Sequence, residues 1–176
     1  MGDYREVQAG SKPFKRAYIA VMLWFVGRAI QAAARVDKAV REEFEKLPEG
    51  FTFSLGVQPH GPYMIVGKNQ KGRVKYLGWK PESKVVDLRM AIKNIEAALL
   101  LFTFQESTAI SICRDRIDFD GDLPPALTVI RAIGIVEVYL LPKLISKLAI
   151  KRYPVWSFGR KYLGRIRIYF HSILGY

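Results

Sequence analysis

The pattern of apolar and polar positions is clearest between Val85 and Pro142. Val86, Leu88, Met90 and Ile92 stand at every second position, with Val85, Asp87, Arg89 and Ala91 between them, which predicts a strand with one apolar face. Asn94 follows, and its side-chain oxygen can accept from the free amides of a first helical turn. A helix rich in Ala and Leu is therefore expected from Ile95 to about Gln105. Ile117 and Phe119 define a second, short strand, with Arg116, Asp118 and Asp120 facing the other way. Gly121 permits a tight reversal, Asp122 caps the next helix, and Pro124 fits its first turn.

The rest of the chain supplies helices at both ends and more strands between. Residues 1–13 are polar and expected to be loose. Phe14 to Leu47 has a helical pattern closed by Pro48 and Gly50. Its second half is amphipathic through Ile30, Ala33, Val36, Val40, Phe44 and Leu47. Its first half, Tyr18 to Val26, is apolar all round, as in a helix enclosed by protein or set against lipid or a partner. Phe51 to Gln58, Tyr63 to Lys68 and Arg73 to Trp79 read as strands joined by turns at 59–62 and 69–72, and the fourth strand spans Lys84 to Lys93. Short connections favour an antiparallel meander. Adding 117–120 predicts an α+β fold, a five-stranded mainly antiparallel sheet covered by helices on one face. Leu123 to Tyr153 is helical and apolar, with interruptions or kinks expected at Gly134 and Pro142. Val155 to Leu174 reads as a last helix. Val155, Phe158, Tyr162, Leu163, Ile166, Tyr169, Phe170 and Ile173 share one face; Arg160, Lys161, Arg165, Arg167 and His171 share the other, where Ile168 is the exception.

The strand followed by N-I-E-A-A-L-L-L from Asn94, and R-I-D-F-D-G-D-L from Arg116, resemble the sterol carrier protein domain, the non-specific lipid-transfer protein family, over about Phe51 to Tyr153. The resemblance implies a lipid-binding domain at 51–153, between an N-terminal helical extension at 1–50 and a basic amphipathic C-terminal helix at 154–176. It also implies an apolar cavity between sheet and helices, since members of that family enclose sterols, fatty acyl chains or phospholipids there. The apolar side chains in excess on the facing elements nominate Leu88, Met90, Ile92, Leu99, Phe102, Phe119, Leu127 and Ile130 as its lining. Periodicity alone does not separate a cavity from a packed core. Some bacterial proteins with this domain assist quinone biosynthesis, which adds an isoprenoid quinone intermediate as cargo. The alternative is a scaffold or accessory subunit of a lipid or quinone biosynthesis complex, with no ligand of its own.

Charge changes the picture of the partners. The formal net charge is +12, and no acidic residue follows Glu137, whereas Lys143, Lys147, Lys151, Arg152, Arg160, Lys161, Arg165 and Arg167 do. Such an excess implies an anionic partner. In the last helix the aromatics lie opposite the cations, an arrangement suited to a bilayer interface rather than to nucleic acid. Arg160, Lys161, Arg165 and Arg167 are the expected membrane-binding residues, and no nucleic acid is expected. The partners expected are a lipid or other hydrophobic small molecule, an anionic membrane surface and a partner enzyme.

Catalytic patterns are scarce. His60 and His171 have no Cys or His at metal-ligand spacing, and there is no G-x-S-x-G, P-loop or dinucleotide fingerprint. The acids from Asp115 to Asp122 fail as a calcium loop, because placing Gly121 sixth puts Arg116 first and Leu127 twelfth. No catalytic residue, metal or cofactor is expected, and the chain reads as a non-enzyme. The single cysteine, Cys113, sits in an apolar run and is expected to be a buried small hydrophobe in a reducing compartment. The apolar run Tyr18 to Val26 is short of the roughly 20 residues that span a bilayer. A cytoplasmic protein, peripheral at the inner membrane face, is the expectation.

Overall fold

The computed structural model describes residues 12–80, 85–140 and 158–175, with side chains from 162 onward in the last segment. The strands are β1 (Thr52–Val57), β2 (Tyr63–Lys68), β3 (Val74–Gly78), β4 (Leu88–Ile92) and β5 (Ile117–Asp120). The helices are α1 (Pro13–Val36), α2 (Lys38–Glu45), α3 (Ile95–Phe102), α4 (Thr108–Cys113), α5 (Leu123–Leu140) and α6 (Phe158–Leu174).

The five strands form one mixed sheet in the order β3-β2-β1-β4-β5. Strands β1, β2 and β3 make the expected antiparallel meander, but β4 does not extend it. It joins the free edge of β1 and runs parallel to it, with Phe53 opposite Leu88 and Val57 opposite Ile92. The chain from Gly78 to Leu88, at roughly 3.3 Å per residue, is long enough to pass two strands each about 4.8 Å wide. Strand β5 then pairs antiparallel with β4, setting Phe119 beside Met90 and Ile117 beside Ile92. The helix-facing side of the sheet thus carries Phe53, Leu55, Val57, Met64, Val66, Leu88, Met90, Ile92 and Ile117, all buried. Strand β1 is buried on both faces instead of alternating. Gly56 lies under the ring of Tyr63 so closely that a Cβ would come within 1.9 Å of a ring carbon.

Phe14 to Leu47 is not one helix. Asp37 takes an extended conformation between α1 and α2, and its carboxylate accepts from the amides of Ala39 at 2.8 Å and Val40 at 3.1 Å. The hydroxyl of Tyr139, on α5, donates to the same buried carboxylate. Asn94 caps α3 as expected, accepting from the Ala97 amide at 2.8 Å. The helix ends at Phe102, because Phe104 turns into the left-handed region with φ 60°. A further helix, α4, follows, capped by Ser107. Its inner side is Ser111, which turns Cys113 outward, so the cysteine is exposed and not the expected buried hydrophobe. Gly121 has φ +138°, and a Cβ there would lie 2.6 Å from the carbonyl oxygen of Asp87, so the reversal before α5 requires glycine twice over. Helix α5 runs unbroken through Gly134, which keeps its backbone N–H where a proline would lose it. Pro142 and the rest of the expected helix to Tyr153 lie outside the described residues. By length and composition α1 and α5 could each cross a membrane; 50% and 44% of their apolar windows are buried within the molecule.

Helix α6 docks by the face expected to carry the cations. It runs parallel to α1: the Phe25 and Tyr169 rings stack at 5.9 Å, Arg28 donates to the Ile173 carbonyl at 3.3 Å, and Gln31 donates to that of Gly175 at 3.2 Å. The inner row is Gly164, Ile168 and Ser172, so Ile168, the exception in the amphipathic pattern, is 1% exposed. Leu163, Ile166, Phe170 and Ile173 point outward, each 61–66% exposed. Small residues allow this approach: a Cβ on Gly164 would lie 3.0 Å from the Tyr139 ring. Arg165, expected in water, is half-buried and donates to the carbonyls of Tyr139 at 2.9 Å and Val138 at 3.1 Å.

Asp37→Ala removes a cap and leaves the Tyr139 hydroxyl without that partner, so it should lower stability by about 2 kcal/mol, and Tyr139→Phe by about 1 kcal/mol. In urea denaturation the double variant should be little worse than Asp37→Ala; full additivity would show that the two side chains are not coupled.

Candidate functional site

A narrow apolar crevice of about 50 Å³ lies between the helix-facing side of the sheet and α3, α4 and α5. Leu55, Met90, Ile117 and Phe119 form its floor, and Val26 of α1 closes one side. Leu101, Phe102, Phe104 and Ile112 come from α3, α4 and their connection; Ile130, Ile133, Val136 and Leu140 come from α5. Leaving a void of this size empty costs on the order of 1 kcal/mol.

Of the residues nominated from the sequence, the structure brings Met90, Phe102, Phe119 and Ile130 to this crevice. Leu88 and Ile92 share a row with Met90 but sit in solid core on either side of it. Leu99 is half-buried, off the inner stripe of α3 made by Ala97, Ala98, Leu101 and Phe102. Leu127 is 46% exposed, because it lies 100° around α5 from the buried Ala126.

Two polar residues at the crevice escaped the sequence reading. Thr108 begins α4 and Glu137 lies near the end of α5; the Thr108 hydroxyl donates to Glu137 Oε1 at 2.7 Å. No cation among the described residues pairs with this carboxylate. Burial pushes its pKa up to about 7, with the Thr108 hydrogen bond opposing the rise. One signal was available: Glu137 is the single charged residue between Arg131 and Lys143 in an otherwise apolar helix.

The second feature is the outer surface of α6. Its exposed Leu163, Ile166, Phe170 and Ile173 are accompanied on the parallel α1 by exposed Phe14, Val21 and Trp24, the last under the Arg28 guanidinium at 5.0 Å. Of the expected membrane-binding residues, Arg167 is exposed at the margin of this face and Arg165 is held inward. The side chains of Arg160 and Lys161 lie outside the described residues.

No protein-family model matches the chain, and no curated protein matches it significantly. Among solved structures the chain is similar to a conserved protein of Thermus thermophilus, at 13% identity over 83% of this chain and 96% of that one, with a TM-score of 0.47. It is also similar to a UbiJ-SCP2 ubiquinone synthesis protein, at 15% identity over 74% of this chain and 97% of that one, with a TM-score of 0.42. Sterol carrier protein 2 of Yarrowia lipolytica, in its apo form, is 13% identical over 83% of this chain and 100% of that one, with a TM-score of 0.41.

The raised pKa of Glu137 makes stability depend on pH. Near pH 4.5 and below, folding does not penalise the protonated carboxyl; the penalty grows as pH rises to about 7 and is constant above that. Glu137→Gln removes the ionisation while keeping an acceptor for Thr108. The variant should match the parent near the acid end and exceed it at the alkaline end by on the order of 3 kcal/mol. Urea denaturation of both proteins across this range would show it; a gap that does not vary with pH would mean the carboxyl is solvated.

Proposed function

We propose that the chain is a non-enzymatic lipid carrier that holds the hydrocarbon part of an amphiphile in the crevice and works at the surface of an anionic membrane. The observation that carries this reading is the crevice itself, whose walls among the described residues are apolar except for Thr108 and Glu137. Hydrocarbon gains about 0.8 kcal/mol per methylene buried, so such walls retain a chain with few polar contacts. As it stands the void takes a short stretch of hydrocarbon; a longer chain requires α5 or the α3–α4 connection to move outward. The cargo classes that fit are sterol-like molecules, fatty acyl chains, phospholipids and isoprenoid quinone intermediates.

The outer face of α6 supports the membrane part. An apolar face this exposed needs a cover, and the net charge of +12 selects an anionic one. With the helix docked through Gly164, Ile168 and Ser172, the apolar side enters the acyl boundary, while Arg167 at its margin reaches head groups. On this reading the protein sits at the cytoplasmic face of the inner membrane. An accessory subunit would use the same face to seat a partner enzyme.

Organic extraction of the purified protein followed by mass spectrometry should recover a lipid. Ile130→Phe, which fills the crevice, should lower affinity for a fluorescent acyl probe about tenfold or more; unchanged affinity would place the probe elsewhere. In flotation assays the parent should bind anionic vesicles, less so as salt rises. Ile166→Gln with Phe170→Gln should abolish that binding without changing thermal stability. Failure of the parent to float with either anionic or neutral vesicles would favour the accessory-subunit reading.

A further inference from the structure

The crevice is not uniform: among the described residues its polar groups are gathered at one place. Thr108 and Glu137 touch there, and the walls from α1, α3, β1, β4 and β5 present no other polar side chain. Glu137 Oε1 is engaged by Thr108, and Oε2 has no partner among the described residues. Arg165 of α6 donates to the carbonyls of Val138 and Tyr139, one and two residues beyond Glu137. On the α3–α4 connection Glu106 pairs with Arg114 at 3.3 Å and Arg116 at 3.0 Å, and on α5 itself Arg131 pairs with Glu43 at 3.0 Å.

We propose that Glu137, held by Thr108, binds the polar end of the cargo, and that this end is a hydroxyl group and not an ionised acid. This rests on the carrier reading above and narrows it to long-chain or polycyclic alcohols. A hydroxyl is both donor and acceptor, so it donates to the carboxylate and accepts from the carboxylic acid, and it stays bound whichever form is present. An ionised acid can only accept, which suits the protonated carboxyl and is repelled by the ionised one. A plain hydrocarbon offers the second carboxyl oxygen no hydrogen bond. Burial, which holds the carboxyl half-protonated near neutral pH, makes this difference measurable.

The test is displacement of a fluorescent hydrocarbon from the full chain by an alkane, a primary alcohol and a carboxylate of equal length, about ten carbons, at about pH 6 and about pH 8. The alcohol should bind about tenfold tighter than the alkane at both values, as expected for a hydrogen bond to a charged or half-charged group. The carboxylate, ionised at both, should weaken about tenfold on going to the higher pH. Glu137→Leu should erase the advantage of the alcohol while retaining the alkane, and Glu137→Gln should keep the advantage but lose the pH response of the carboxylate. Equal binding of alcohol and alkane by the parent, or an advantage that survives Glu137→Leu, overturns the assignment of Glu137 and leaves the carrier reading intact. No displacement by any of the three overturns both.

Discussion

The helix layer depends on one buried carboxylate. Asp37 stands where α1 stops and α2 starts, satisfies two amides of α2, and receives the Tyr139 hydroxyl from α5. Burying an acid is costly unless such partners replace its hydration, and here the partners belong to different helices. That fixes the rotation of α5 about its own axis. Glu137 lies two residues before Tyr139, about 200° away, so anchoring the tyrosine at α2 turns the glutamate to the crevice. The end of α5 then serves a third element: the carbonyls of Val138 and Tyr139 accept from Arg165, and that of Leu140 accepts from the Tyr169 hydroxyl at 2.7 Å. Four consecutive residues, 137–140, thus connect the interior void, the helix break and the docked α6.

Local chemistry was legible in the sequence, and non-local choices were not. Asn94 as a cap, Gly121 as a residue with positive φ, and the short strand at 117–120 follow from side-chain geometry within a few residues, and the structure has all three. The five strands could be counted, but the parallel return of β4 to β1 depends on which free edge buries more apolar surface, and no local pattern states that. The break at Asp37 was hidden because the apolar spacing on both sides is helical; a lone Asp followed by two amides it can reach was the only sign.

The lining of the crevice was half legible for a related reason. Alternation and helical spacing identify residues that leave water, as they did for Met90, Phe102, Phe119 and Ile130, and equally for Leu88 and Ile92, which pack in solid core. Whether buried side chains meet or leave a gap is decided by differences well under the width of a methyl group. The orientation of α6 shows another limit. The spacing of apolar residues tells which side of a helix is apolar, not which side its neighbour covers. Gly164 and Ser172 carry little apolar weight, yet they let the backbone come close enough for Arg165 to reach the end of α5.

The order of the strands has a consequence for how the molecule is made. Strand β1 is paired by β2 as soon as the hairpin has emerged from the ribosome, but its other edge stays bare until Leu88 to Ile92 have been synthesised. The floor under α5 is incomplete until β5 follows. The central strand is therefore finished late, from outside its own hairpin, and the nascent chain carries Phe53 and Leu55 beside an open row of backbone amides and carbonyls for that interval. A chain halted between β3 and β4 would expose the very edge on which the finished sheet is centred.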